Sequence, residues 1–126
     1  MSTILIVEDN EKNMKLARDV LQARGYATLE ATTGEEGVRL AREHRPDLVL
    51  MDIQLPGISG IEALRQLRAD PATSGIPVLA VTASVMEQDR RQITQAGFDA
   101  YVGKPISLRE FLESVRQALE HKTKNT

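Results

Sequence analysis

Three short runs of the chain carry apolar residues almost without interruption: Ile4-Leu5-Ile6-Val7, Leu48-Val49-Leu50-Met51 and Pro77-Val78-Leu79-Ala80-Val81. Each is too short for a helix, and breaks such as Pro46-Asp47 and Ser74-Gly75 bound them, so each reads as a strand buried on both faces. Two further stretches are weaker. Residues 26–31 alternate, with Thr28 and Glu30 on one side and Ala27, Leu29 and Ala31 on the other, and Ala100-Tyr101-Val102 is brief; both suit edge strands. Between the strands the period becomes helical. Met14, Ala17, Val20 and Leu21 mark a helix over 11–24 closed by Gly25; Val38, Leu40 and Ala41 mark one stopped by Arg45-Pro46; Ile61, Leu64 and Leu67 mark a third ended by Asp70-Pro71. Residues 86–96 predict a strongly polar helix anchored by Met86, Ile93 and Ala96, with Gly97 as its stop, whereas Leu108, Phe111, Leu112, Val115 and Leu119 form the clearest helical stripe. Asn10 can cap the first helix, and Ser/Thr-x-x-Glu boxes at Thr33, Ser59 and Ser107 open the second, third and fifth. The polar tail 121–126 is expected to fray.

Five strands alternating with five helices imply a parallel sheet covered on both faces and joined by right-handed crossovers. With the apolar strands in the middle and the weak ones at the edges, the prediction is an α/β, flavodoxin-like (βα)5 doubly wound sheet of strand order 2-1-3-4-5. No repeat or linker interrupts the pattern, so residues 1–126 are expected to form a single domain with an ordered core over about 3–120.

Composition narrows the function. Aromatic residues are 3% of the chain, so aliphatic side chains must fill the core. A formal net charge of -2, with no dense Lys/Arg run, excludes nucleic-acid binding by this chain alone. The absence of cysteine excludes disulfides and thiolate metal sites and fits a reducing compartment. The chain passes from Met-Ser-Thr straight into a strand, without a signal-peptide core or a bilayer-length span, so a cytoplasmic protein with no membrane contact is expected.

Chemistry gathers where the strands end. The first apolar run delivers Glu8 and Asp9, the second Asp52, the third Thr82, and Lys104 follows the fifth strand. In the order 2-1-3-4-5 the first and third strands are neighbours about 4.8 Å apart, which brings three acids into one crevice. Two such charges about 4 Å apart repel by about 4 kcal/mol at an effective dielectric near 20, so the crevice must take a cation or keep a proton. An all-oxygen site without His or Cys suits a hard ion, and Mg²⁺ fits best because it leaves positions for water and phosphate oxygens; Mn²⁺ is the alternative metal. With the Thr82 hydroxyl and the Lys104 ammonium added, these parts suit a phosphoryl group.

Taken singly, every one of these residues has an ordinary explanation. Glu8 and Asp9 favour the positive end of a helix, Asp52 a turn, Thr82 a cap, Lys104 a solvated surface and Tyr101 edge-strand packing. Their coincidence, in order, at one sheet edge decides for a site.

Val7-Glu8-Asp9-Asn10, Met51-Asp52-Ile53-Gln54-Leu55-Pro56-Gly57, Val81-Thr82-Ala83 and Gly103-Lys104-Pro105 together resemble the receiver domains of bacterial two-component response regulators, over essentially the whole chain. Asn10-Glu11-Lys12-Asn13 and Lys104-Pro105-Ile106 make it similar to the stand-alone DivK-like or chemotaxis-regulator-like members and to the receivers of hybrid kinases. The resemblance implies that Asp52 accepts phosphate from a phosphohistidine, on a histidine kinase or a histidine phosphotransfer protein. It also implies Asp9 and Asp52 as direct Mg²⁺ ligands, Glu8 acting mostly through water, and the Gln54 backbone carbonyl as a further ligand. Lys104 would pair with the incoming phosphoryl oxygens, Thr82 would swing to hydrogen-bond them, and Tyr101 sits where an aromatic ring follows the threonine inward. Ala83 would leave the entry open, Gln54 and Ser84 would tune hydrolysis of the acyl phosphate, and Lys104-Pro105 would be a cis peptide. The face of the fourth helix, fifth strand and fifth helix would carry the signal to a downstream kinase, phosphatase or scaffold.

Two other function classes compete with the signalling switch. A Mg²⁺-dependent aspartyl phosphatase would need a second acid where Gln54 stands and room for a substrate cap. A flavin or nucleotide module is allowed by the strand order, but Glu8-Asp9-Asn10 would repel phosphate. A phosphorelay intermediate or phosphate sink remains open within the switch reading.

Overall fold

The computed structural model describes residues 2–83, 87–104 and 107–124, the side chains of 87–90 and 121–124 excepted. Five strands alternate with five helices: β1 Thr3–Val7, α1 Glu11–Ala23, β2 Ala27–Ala31, α2 Gly34–His44, β3 Leu48–Asp52, α3 Gly60–Ala69, β4 Val78–Thr82, α4 Glu87–Ala96, β5 Ala100–Gly103 and α5 Leu108–Lys124. All neighbouring strands are parallel, in the order β2-β1-β3-β4-β5, as the pattern predicts.

The unbroken apolar runs follow from burial on both sides. Leu5, Val7, Val49, Met51, Val78 and Ala80 point into one core with Val38, Ala41, Ala63, Leu64, Leu67 and Ile93, on the α2, α3 and α4 side. The alternate positions Ile4, Ile6, Leu48, Leu50, Leu79 and Val81 point into a second core with Met14, Ala17, Leu21, Phe111 and Val115, on the α1 and α5 side. A strand with period two can serve two helical layers only if every position is apolar.

Local signals set the helix starts. Asn10, Thr33 and Ser59 are N-caps whose side chains accept from Asn13, Glu36 and Glu62 backbone N–H groups. At α2 the bond is returned in kind, Glu36 Oε1 accepting from Thr32 N at 3.1 Å. α5 begins after Ser107, whose carbonyl accepts from Phe111 N at 2.8 Å.

Several details depart from expectation. Leu108 shares the helical face of Phe111 and Val115 but is 50% exposed, because it is the first residue of α5 and only the later turns reach the apolar side chains of the sheet. Ile61 is half-buried, and Ala63 fills the core beside Leu64 and Leu67 instead. Strand β4 starts at Val78 and runs on to Thr82. Phe98, just before β5, joins the first core although no periodic stripe announces it. The expected anchor Met86 lies outside the described residues, as do 125 and 126 of the polar tail, while α5 continues to Lys124.

Candidate functional site

The exit edge of the sheet carries its only buried carboxylates among the described residues. Glu8 follows β1 and extends its ladder, donating its N–H to the Ala31 carbonyl at 2.9 Å. Asp52 closes β3, one position beyond the Val7 and Met51 pair. Glu8 and Asp52 are 5% and 4% exposed, so both have shed most of their water. Asp9 is exposed, and the three carboxylates place ligand oxygens within 4.8 Å of one another.

Each buried acid is held in the same way. Lys104 Nζ lies 3.0 Å from Glu8 Oε1 and 3.0 Å from Asp52 Oδ2. The remaining oxygens turn to backbone N–H groups two residues on, Glu8 Oε2 accepting from Asn10 N at 3.1 Å and Asp52 Oδ1 from Gln54 N at 3.0 Å. Lys104 reaches this position because its own N–H donates to the Thr82 carbonyl at 2.8 Å, prolonging the β4–β5 ladder past Gly103. Burial, then the neighbouring Asp52 carboxyl, push the Glu8 pKa above its usual range, against the opposing pull of Lys104 and the Asn10 N–H. Burial alone would lower Lys104, but its hydrogen bonds to Glu8 and Asp52 together outweigh that and raise it.

Three carboxylates against one ammonium leave two negative charges in the crevice when all the acids are ionised, which one divalent cation balances. The donor set is all oxygen, is partly open through Asp9, and contains no imidazole or thiol. It fits a hard cation that keeps waters and takes few protein ligands.

The remaining predicted site residues fall around this cluster. Thr82 is buried at the exit of β4, the strand next to β3. Ala83 beyond it and Gln54 after Asp52 are exposed. Tyr101, paired in register with Ala80, is 38% exposed on the edge strand. Ser84 and the Lys104-Pro105 peptide fall on positions outside the described residues.

One residue at the site went unmarked in the sequence pattern. Gly60 opens α3 directly under Asp52: a Cβ there would stand 2.4 Å from the Asp52 carbonyl oxygen and 2.9 Å from Ile53 Cα. Its N–H also donates to the Ile53 carbonyl at 3.0 Å, closing the loop that leaves the acid. Only its place inside the Ser59 capping box hinted at it.

The comparisons with known proteins agree with this geometry. The family model described as the response regulator receiver domain matches residues 4–116. The polar-differentiation response regulator DivK of Brucella anthropi is 51% identical over 117 residues, covering 93% of this chain and 95% of the relative; DivK of Brucella ovis is 50% identical over the same span. Among solved structures, the CheY-like response regulator receiver domain protein from Methanospirillum hungatei superposes with a TM-score of 0.89 at 29% identity, over 100% of this chain and 99% of that one. The receiver domain of the sensor histidine kinase PA1611 from Pseudomonas aeruginosa, determined with a magnesium ion coordinated in its active-site cleft, gives 0.88 at 33% identity over 94% and 98%. The chain belongs to the response regulator receiver family and is DivK-like.

Proposed function

We propose that this protein is a single-domain response regulator of a phosphorelay, which takes a phosphoryl group onto Asp52 from the phosphohistidine of a histidine kinase or histidine phosphotransfer protein. The observation that carries the reading is the joint geometry of the acids and Lys104, whose ammonium lies 3.0 Å from both buried carboxylates. Glu8, Asp9 and Asp52, with the Gln54 carbonyl, are the residues that would hold Mg²⁺. When bound, the metal supplies charge neutralisation for the phosphoryl oxygens.

The chain's own groups do the rest. An oxygen of Asp52 forms the new O–P bond while the P–N bond to histidine breaks and the imidazole nitrogen keeps the electron pair. Lys104 is already on Asp52 and follows the oxygens of the arriving group, and the Thr82 hydroxyl at the next strand exit donates a hydrogen bond to them. In-line transfer of this kind needs positioning and charge stabilisation more than proton transfer, so no histidine base is required. By the family resemblance Gln54 and Ser84 are the side chains that would tune hydrolysis of the acyl phosphate, with Ala83 leaving the entry open.

The change at Thr82 reaches the α4-β5-α5 surface through Tyr101, and that surface controls a downstream kinase, phosphatase or scaffold. Among the described side chains of α4, Ile93 is buried and Ala96 packs partly against the core, while Arg91, Gln92, Thr94 and Gln95 are exposed on the side that a partner would meet. None of the described helices is long and apolar enough to cross a membrane, and the reaction is expected in the cytoplasm.

Phosphotransfer from a panel of phosphorylated histidine kinases, with and without EDTA, tests the proposal. Labelling that disappears in Asp52→Asn and on chelation supports it. Labelling at the same rate in Asp52→Asn, or sustained turnover of a small phosphomonoester, contradicts it, the second result favouring a phosphatase.

A further inference from the structure

The loop 53–59 that leaves Asp52 is pinned at both ends. Near the acid, Gln54 N donates to Asp52 Oδ1 and Gly60 N to the Ile53 carbonyl, each at 3.0 Å. Residues 57 and 58 rest on the first turn of α2, which contributes no acid to the crevice. Ile58 N donates to Glu35 Oε1 at 3.3 Å. Gly57, with a φ of 77°, faces the same carboxylate, both of whose oxygens lie 2.6 Å from where a Cβ would stand. Gly34 in turn leaves room for Ile58, whose Cγ1 and carbonyl oxygen lie 2.7 and 2.9 Å from a Cβ built there. Glu35 thus spans two consecutive loop residues, and glycine at 57 is what allows it so close.

We propose that Glu35 is a positioning residue for metal binding: its carboxylate fixes residues 57 and 58 within the 53–59 loop and thereby steadies the Gln54 backbone that the loop presents beside Asp52. The inference rests on the metal reading of the acids given above. A short loop held at both ends and once between them has little conformational freedom left to lose when a ligand binds, and one that loses the inner support has more. Mg²⁺ demands near-octahedral geometry, so a ligand backbone that wanders costs affinity even though every coordinating atom is present. Glu35 is exposed, so the expected effect is a weakening of the site and not its loss.

The test titrates the full chain with Mg²⁺ alone by calorimetry, comparing wild type, Glu35→Ala and Glu35→Gln, and follows hydrogen exchange at the Gln54 and Ile58 amides before metal is added. Glu35→Ala is expected to weaken Mg²⁺ binding about fivefold, the loss of one exposed charge-assisted hydrogen bond, and to speed exchange at both amides. Glu35→Gln, which keeps an acceptor oxygen, is expected to stay within about twofold of wild type. Unchanged urea midpoints in both variants separate this from general destabilisation. Equal affinity in wild type and Glu35→Ala overturns the inference alone, as does a Glu35→Gln variant as weak as Glu35→Ala, which would show an effect of charge and not of the hydrogen bond. A wild type that binds no Mg²⁺ overturns the metal reading and this inference with it.

Discussion

Lys104 is the residue on which the electrostatics of the crevice turn. One ammonium serves two buried carboxylates, and Asp9 adds a third charge that the lysine does not touch in the structure. The pH behaviour follows from the directions of the shifts. Glu8 has a pKa raised above its ordinary value near 4.5, so the native state binds the extra proton; the stability it contributes is complete below that value and is lost as pH rises through the raised one. Lys104 is raised above 10.5, so its contribution is lost only as pH climbs past that value, and the ammonium stays charged throughout the Glu8 window. Metal binding requires the ionised carboxylate. Mg²⁺ uptake is therefore expected to release a proton from Glu8 within that window and none above it, with affinity rising as pH rises. Calorimetric titrations in two buffers of different ionisation enthalpy measure this directly; no proton release and a flat affinity would contradict it.

A second residue-scale prediction concerns Arg45, which ends α2 with a φ of 46° and is exposed. A side chain in the left-handed region is strained by about 1–2 kcal/mol. Against that, glycine loses more entropy on folding. Arg45→Gly is expected to stabilise the protein by about 0.5–1 kcal/mol in urea denaturation, with phosphotransfer unaffected.

At the scale of elements, the site is made by ladders that continue past the strands. Glu8 N on Ala31 and Lys104 N on Thr82 extend β1 and β5 far enough to deliver their side chains, and α3 closes against the backbone of Asp52 through Gly60. Because the obstructing atoms at Gly60 are backbone, they cannot rotate away. Gly60→Ala is expected to cost about 1–3 kcal/mol and to weaken Mg²⁺ binding along with it, as overpacking does where neighbours are rigid. Urea midpoints together with a Mg²⁺ titration check this; a variant of wild-type stability would show that α3 packs more loosely on Asp52 than the structure has it.

The same scale explains what the sequence made legible. β1, β3 and β4 announce themselves because two helical layers demand apolar side chains at every position, and three caps announce helix starts because backbone N–H groups there need acceptors. Glu8, Asp9, Asp52 and Lys104 were legible because strand exits share one edge. Gly60 and the Glu35 bond to Ile58 were not, since close approach and a contact across 23 positions leave no periodic trace. Leu108 misled because periodicity reports a face and not how far along the helix that face stays covered. The exposure of Tyr101 is likewise a property of the edge strand's environment and not of its alternation.

For the whole molecule, the sheet is a fixed frame and the exit edge is where it is chemically unfinished. Like charges are gathered there at a cost to the metal-free fold, and a bound divalent cation returns stability by mass action. At a free Mg²⁺ concentration a hundred times its dissociation constant this amounts to about 2.7 kcal/mol. Among the gathered acids, Asp52 is the one proposed to take the phosphoryl group. The most direct test of this is to phosphorylate the protein from a histidine kinase in Mg²⁺, trap the acyl phosphate by borohydride reduction and locate the modified residue by peptide mass spectrometry. Modification at Asp52 alone, absent when metal is chelated, is expected; modification of Glu8, Asp9 or a hydroxyl residue in its place would overturn the assignment.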